Sequence, residues 1–458
     1  MSTLADLLSS LVPWLLAAIT GCSFVILVLR YLAEPLAPGI EFGPLVRRLI
    51  DRRALEPQGP ETEPSVISRQ LRRRLRRNEW ALHNQIHLIV WIMCLTLVSR
   101  LLILASAMVG SCLTGSLDAL FQAAISHWVR WDAAGYINLA RNGYASAPDM
   151  LNYLPLYPYL VRFFAFLFFG HYVFAGFVVS NLALLVAGWA MFRLVAAEQG
   201  ERAARRAVIL MMFSPLSLFF SVPCAESLFL MLTLLSVLCA RNRAFLPAVA
   251  FGTLCAATRL AGVLVIVPVF LEMMKYLHCL NLYRAHKARF FRLLAAFMLL
   301  CLLIPLGTCA YMLINALVAG SPVAFVSTLH DYWNQGFGSI WKTQRYSIDL
   351  AFSYGDLGWQ LGTWIPQAIA IFSAALMLLS FSTVIQPGDG LYAWLYMALT
   401  LSPSWLLSGS RLITAMYPLY PILAVITRCK SAYLIVIALS IVLTCVFSYL
   451  YAITGTVV

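Results

Sequence analysis

The chain has 458 residues, 62% of them hydrophobic and only 11% charged. That balance excludes a soluble domain, because several apolar runs approach the roughly 20 residues a helix needs to cross a bilayer. The formal charge of +13 sits in short segments between apolar runs, the pattern of a topology signal and not of a nucleic-acid surface.

The fold expected is therefore all-α and polytopic. Few stretches alternate with strand periodicity, which argues against a barrel. The eleven cysteines form no CxxC pair and mostly fall inside apolar runs, so neither a zinc site nor a disulfide framework is expected.

In chain order, an apolar run at 11–30 lacks a basic leader and is followed by Arg30, which reads as an anchor and not a cleaved signal. Next come "RRLIDRR" and "RQLRRRLRR" within 47–77. This basic arm belongs in the cytoplasm by the positive-inside bias. It could bind anionic lipid or a small membrane partner subunit, with a plain topology anchor the simpler reading. The span at 86–109 then carries the chain outward, so "HWVRWDAAGY" lies on the far side. Residues 154–170, "LPLYPYLVRFFAFLFFG", suit an interfacial or re-entrant helix, given two prolines and Arg162.

Basic clusters at 198–206, 241–243, 275–292 and 428–430 then fall on the cytoplasmic side. The far side receives "SVPCAESLF" near 221–229, the segment near Arg259, a long loop at 319–364 and "SGSR" at 408–411. Residues 207–274 read as two hairpins of short apolar segments whose tips meet outside near Glu226 and Arg259. About twelve crossings are expected. No internal repeat is visible, which weakens an inverted-repeat transporter.

Ionisable groups at membrane depth or its outer edge are costly and so mark function by default. Arg100, inside "LVSRLLIL", suits an ion pair or snorkelling to the interface. Asp132 stands beside Arg130 between aromatic residues, where a carboxylate stays ionised and can take a proton from a hydroxyl nucleophile. The plainer alternative is that Asp132 caps the helix starting at "AAGYINLA". Glu226 opens an apolar helix after Pro223, where an acid favours the helix dipole; it also brings a second carboxylate to the same face. Arg259 and Arg411 sit at two other outer tips, and their forked donors suit a phosphate, although either could anchor a helix end. There is no D-x-D, P-loop, GxGxxG, GxSxG or HExxH, so no nucleotide site, serine elbow or metal site is visible.

Four blocks carry a family likeness: "RWDAAGYINLARNGY", "YLPLYPYLVR", "SPLSLFFSVPCAESLFLMLTLLSVL" and "ATRLAG", with weaker matches at "YWNQGF" and "SGSRLI". Together they resemble the GPI mannosyltransferase II family of the PIG-V type, multispanning glycosyltransferases of the GT-C class. The chain departs from that family in Leu260 and Ala261, which stand where Ser-Asn often follows the arginine. It departs also in residues 1–80, which look like an extra anchor plus basic arm before a GT-C-like catalytic domain at 81–458.

The resemblance implies an enzyme that takes mannose from dolichyl- or polyprenyl-phosphate-mannose, with no cofactor and no metal. The acceptor would be a lipid-linked glycan, in the family a GPI precursor receiving its second mannose. It implies half-helices and a luminal or periplasmic loop forming the site, in an endoplasmic-reticulum or bacterial inner membrane. Asp132 would be the catalytic base of a single inverting displacement, and Arg259 or Arg411 would hold the leaving phosphate. His127, Trp128, Arg130, Trp131 and Tyr136 would shape the sugar pocket, and Glu226 would orient substrate hydroxyls or hold its hairpin. Two alternatives stay open: the same chemistry on a non-GPI bacterial lipid or polymer, and a lipid transporter or scramblase without transferase activity.

Overall fold

The computed structural model describes residues 82–113, 127–279, 283 and 286–457. The expected anchor at 11–30 and the basic arm lie outside the described residues. What is described is helical, in accord with the all-α expectation, with one isolated antiparallel bridge between Phe337 and Pro403.

Six helices among the described residues are long and apolar enough to cross a membrane: Gln85–Val109, Tyr172–Gln199, Leu260–His278, Lys287–Ala319, Leu357–Phe381 and Lys430–Ile453. The protein is an integral membrane protein. The remaining helices are short, so the expected number of crossings, about twelve, is not reached by length and composition among the described residues.

The first long helix, α1 (Leu82–Leu113), packs along the last one, α17 (Lys430–Ile453). Between them in sequence come α2 (Asp132–Asn142), α3 (Leu156–Leu167), α4 (Tyr172–Gln199), α5 (Glu201–Met212), α6 (Glu226–Arg241) and α7 (Phe245–Ala256). A 3₁₀ stretch, Leu260–Val265, then runs directly into α8 (Ile266–Cys279). There follow α9 (Lys287–Cys301), α10 (Leu306–Ala319), α11 (Ala324–Trp333), α12 (Ile340–Ser353), α13 (Ile365–Phe381), α14 (Pro387–Thr400), α15 (Gly409–Thr414) and α16 (Leu419–Ile426), of which α14, α15 and α16 are largely buried.

Two expectations change here. Residues 260–278 are one continuous span, not part of a second short hairpin, because no proline or charge interrupts them before Pro268, which α8 accommodates in its first turn. Residues 319–364 are largely helical, in α11, α12 and the start of the Leu357–Phe381 span, and not a long loop. Within 154–170 the helix α3 has 12 residues, which rise only about 18 Å and fall short of a full crossing. Its outer face, Phe163, Phe166 and Leu167, is exposed, as is the following Phe169.

The centre of the bundle is α4, α6 and the turn joining α5 to α6. Along α4, Ala175, Gly176, Ser180, Ala183, Ala187 and Gly188 are buried, and small residues of this kind let neighbouring backbone approach closely. A Cβ on Gly176 would lie 2.7 Å from Cβ of Pro223, so only glycine admits the 221–225 turn there. Ser180 donates to the carbonyls of Val222 (2.9 Å) and Cys224 (3.3 Å). The Tyr157 hydroxyl on α3 donates to Gly176 O at 3.1 Å. By these contacts the turn that precedes Glu226 is fixed against α3 and α4.

Candidate active site

Asp132 is the first residue of α2, and its carboxylate is not spent on capping that helix. The position before the helix is Trp131, which makes no side-chain cap bond. Asp132 Oδ2 instead accepts from Arg411 Nη2 at 2.7 Å, and Oδ1 accepts from the Tyr153 hydroxyl at 3.0 Å. The capping alternative is thereby set aside. Burial opposes ionisation of this carboxyl, but the Arg411 guanidinium and the Tyr153 hydroxyl outweigh it and hold its pKa below the ordinary carboxylate range.

The same Arg411 turns its Nε to Glu226 Oε1 at 2.5 Å, and Arg259 Nη1 reaches that oxygen at 2.6 Å. Asp132, Glu226, Arg259 and Arg411, from four segments far apart in sequence, thus form one alternating chain of charge: acid, base, acid, base. Phe219 lies beneath the Arg411 guanidinium, its ring centre 4.8 Å away, which adds a cation–π contact to the pairing. Such a chain keeps each charge compensated in a poorly solvated place.

Exposure divides the four. The side chains of Arg411 and Glu226 are each 1% exposed, Arg259 is 20% and Asp132 is 32%. Arg411 is enclosed and held by two carboxylates, whereas Arg259 keeps the more open side of the arginine pair. Glu226 is enclosed as well and ties its hairpin tip to both arginines.

The aromatic residues before Asp132 also sit differently from a sugar pocket. Trp128 is buried and stacks on Tyr451, centroids 5.7 Å apart. His127 Nδ1 lies 2.5 Å from Ala452 O, and Arg130 Nη1 donates to Tyr451 O at 3.2 Å. These three bind the loop to the end of α17. Tyr136 is buried edge-on between Tyr153 and Tyr157 at 4.9 Å from each. Trp131, 39% exposed and edge-on to Trp359, is the one of this group placed at an open surface.

Sequence reasoning passed over Tyr153 as a site residue, although it stood in the quoted "YLPLYPYLVR" block, and over the segment 451–456. Arg100 donates to the backbone carbonyls of Ser217 (3.0 Å) and Met212 (3.4 Å). Among the described residues, no three His, Cys, Asp or Glu side chains gather as a metal-ligand set.

The sequence model of the family described as mannosyltransferase (PIG-V) matches residues 85–317, about half the chain. The chain belongs to the PIG-V mannosyltransferase family. No curated protein matches it. The matched region of this mannosyltransferase contains Asp132, Tyr153, Glu226 and Arg259, whereas Arg411 and the 451–456 segment come from outside it.

Proposed function

We infer that the protein transfers mannose from a dolichyl- or polyprenyl-phosphate-mannose to a lipid-linked glycan by one inverting displacement. The second mannose of the GPI precursor is the transfer that the family resemblance implies. The observation that supports this most is the position of Asp132, an ionised and partly open carboxylate linked through Arg411 and Glu226 to the partly exposed Arg259. No nucleotide-binding motif accompanies it, which suits a lipid-phosphate donor.

In this reading the acceptor hydroxyl donates a hydrogen bond to an Asp132 oxygen. Its oxygen then attacks the anomeric carbon from the face opposite the phosphate. Pairing with Arg411 weakens Asp132 as a base, yet a weak base serves here. In an oxocarbenium-like displacement the attacking hydroxyl becomes acidic only as its new bond forms, and the proton passes to the carboxylate at that point. The bond between the anomeric carbon and phosphate oxygen breaks, and the departing phosphate takes the bonding electrons, its added charge being met by Arg259 in this reading. No cofactor enters the scheme beyond the lipid-linked sugar itself.

The test is transfer of radiolabelled mannose in membranes carrying the protein, with prenyl-phosphate-mannose compared with a nucleotide-linked mannose as donor. Activity with the lipid donor alone is expected. Transfer from the nucleotide sugar alone would overturn the donor assignment, and lipid flux without any transfer would favour the scramblase alternative.

A further inference from the structure

Asp132 is aimed by an unusual piece of backbone. Trp131, immediately before it, has φ 52° and ψ −129°, a left-handed conformation that a bulky residue rarely adopts. Such a conformation persists only where the surroundings over-determine it, and here the surroundings are a strap formed by Tyr451–Thr456.

The strap holds the loop at four of its residues, His127, Trp128, Arg130 and Trp131. Tyr451 stacks on Trp128 and its carbonyl accepts from Arg130. The Ala452 carbonyl meets His127. The Gly455 carbonyl accepts from Trp131 Nε1 at 3.0 Å. Gly455 itself has φ 66°, and a Cβ there would lie 3.0 Å from Arg130 Nη1. The strap is in turn backed by the Leu357–Phe381 helix. Thr363 Oγ1 donates to Thr456 O, and a Cβ on Gly362 would sit 2.8 Å from that same oxygen. This is also where that helix contains a π-helical turn, Gln360–Trp364. The strap is therefore wedged between a rigid wall and the loop that carries the carboxylate.

We propose that Tyr451–Thr456 is a positioning element for the transfer reaction. It keeps Trp131 in its left-handed conformation and so sets the direction of the Asp132 carboxylate. The proposal rests on Asp132 being the base, as argued above. None of the strap's own groups touches the reacting atoms; its effect passes through Asp132. Released from Gly455, Trp131 relaxes to an ordinary conformation, α2 starts at a different angle, and the carboxylate leaves the line between Tyr153 and Arg411.

The experiment is a double-mutant comparison of single-turnover rates. Trp131→Phe keeps an aromatic ring but removes the indole N–H that reaches Gly455, together with part of the ring's bulk. Gly455→Val strains the strap and presses it against Arg130 while leaving the loop's own sequence unchanged. Each is expected to lower the chemical rate on the order of 10-fold to 10²-fold, the scale of an ångström-sized misplacement, with KM for donor and acceptor nearly unchanged. In an Asp132→Asn background neither is expected to lower the residual rate further, because the group they position is gone. Equal losses in both backgrounds, or no loss in either variant, would overturn the proposal while leaving the base assignment standing. A near-normal rate for Asp132→Asn alone would remove the base assignment and the strap's role with it. Should Gly455→Val fold poorly, Trp131→Phe decides the matter.

Discussion

One helix, α6, carries an ion-pair cluster at each end, and the two clusters differ in a way that separates stability from chemistry. At its first residue, Glu226 joins Arg259, Arg411 and Asp132. At its last, about 22 Å away along the axis, Arg241 pairs with Glu198 and Asp389. Tyr417 there donates to Asp389 at 2.6 Å, and Lys275 bridges Glu272 and Gln386. This second cluster clips the ends of α4, α6, α8 and α14 together, with Arg241 only 13% and Asp389 only 4% exposed. In it each acidic member is largely enclosed. In the first cluster one carboxylate and one arginine keep an open flank. Both clusters follow the same rule of compensating buried charge, but only the first leaves a carboxylate as open as Asp132, 32% exposed.

The comparison is broken most strongly by removing a central cation. Arg241→Ala is expected to cost about 3–5 kcal/mol by leaving Glu198 and Asp389 uncompensated, read as a lower melting temperature in detergent; the molecules that remain folded should still transfer mannose. Arg411→Ala is expected to cost a similar ~3–5 kcal/mol and to abolish transfer as well. An Arg411 variant that folded normally and merely weakened donor binding would return that arginine to the phosphate.

Arg259→Ala sharpens the same contrast at smaller scale. It should raise the donor KM at least tenfold, about 1.4 kcal/mol or more, with modest loss of stability. Smallest is the effect of Tyr153→Phe on pH dependence. The Asp132 pKa lies below its ordinary value of 3.8, so the carboxylate is ionised through the neutral range and the rate should fall only as the pH drops through that lowered value. Losing the Tyr153 hydrogen bond removes one cause of the lowering, so the acid limb should move upward. The stability that Asp132 adds has the same sign: present above the ordinary carboxylate pKa and lost as pH falls through the folded one. An unmoved acid limb would mean that another group sets it.

Much of the site was legible because charge in an apolar chain is rare enough to notice. Asp132, Glu226, Arg259 and Arg411 stood out for that reason, and the structure brings them together. Their individual tasks were not legible, since burial decides them: the same arginine can grip a phosphate when open or bridge two carboxylates when closed. Arg241 and Lys275 stood out as basic positions of one membrane side, but their pairing with Glu198, Glu272 and Asp389 at the bundle end was not legible. Tyr153 escaped notice because a tyrosine beside prolines looks like interface packing. The strap escaped because it acts through backbone carbonyls and a glycine φ, neither of which leaves a pattern in side-chain chemistry. Helix lengths in 319–364 were obscured by mixed polarity, which resembles a loop when tertiary partners are unknown.

The central claim is that the Asp132 carboxylate takes the proton from the acceptor. Its most direct test is mannose transfer from a prenyl-phosphate donor by Asp132→Asn, which keeps the shape and one acceptor oxygen while removing the negative charge. The account expects folded protein with donor binding preserved and transfer reduced at least about a hundredfold, the usual contribution of a general base. Transfer within a few-fold of the unaltered protein would contradict it.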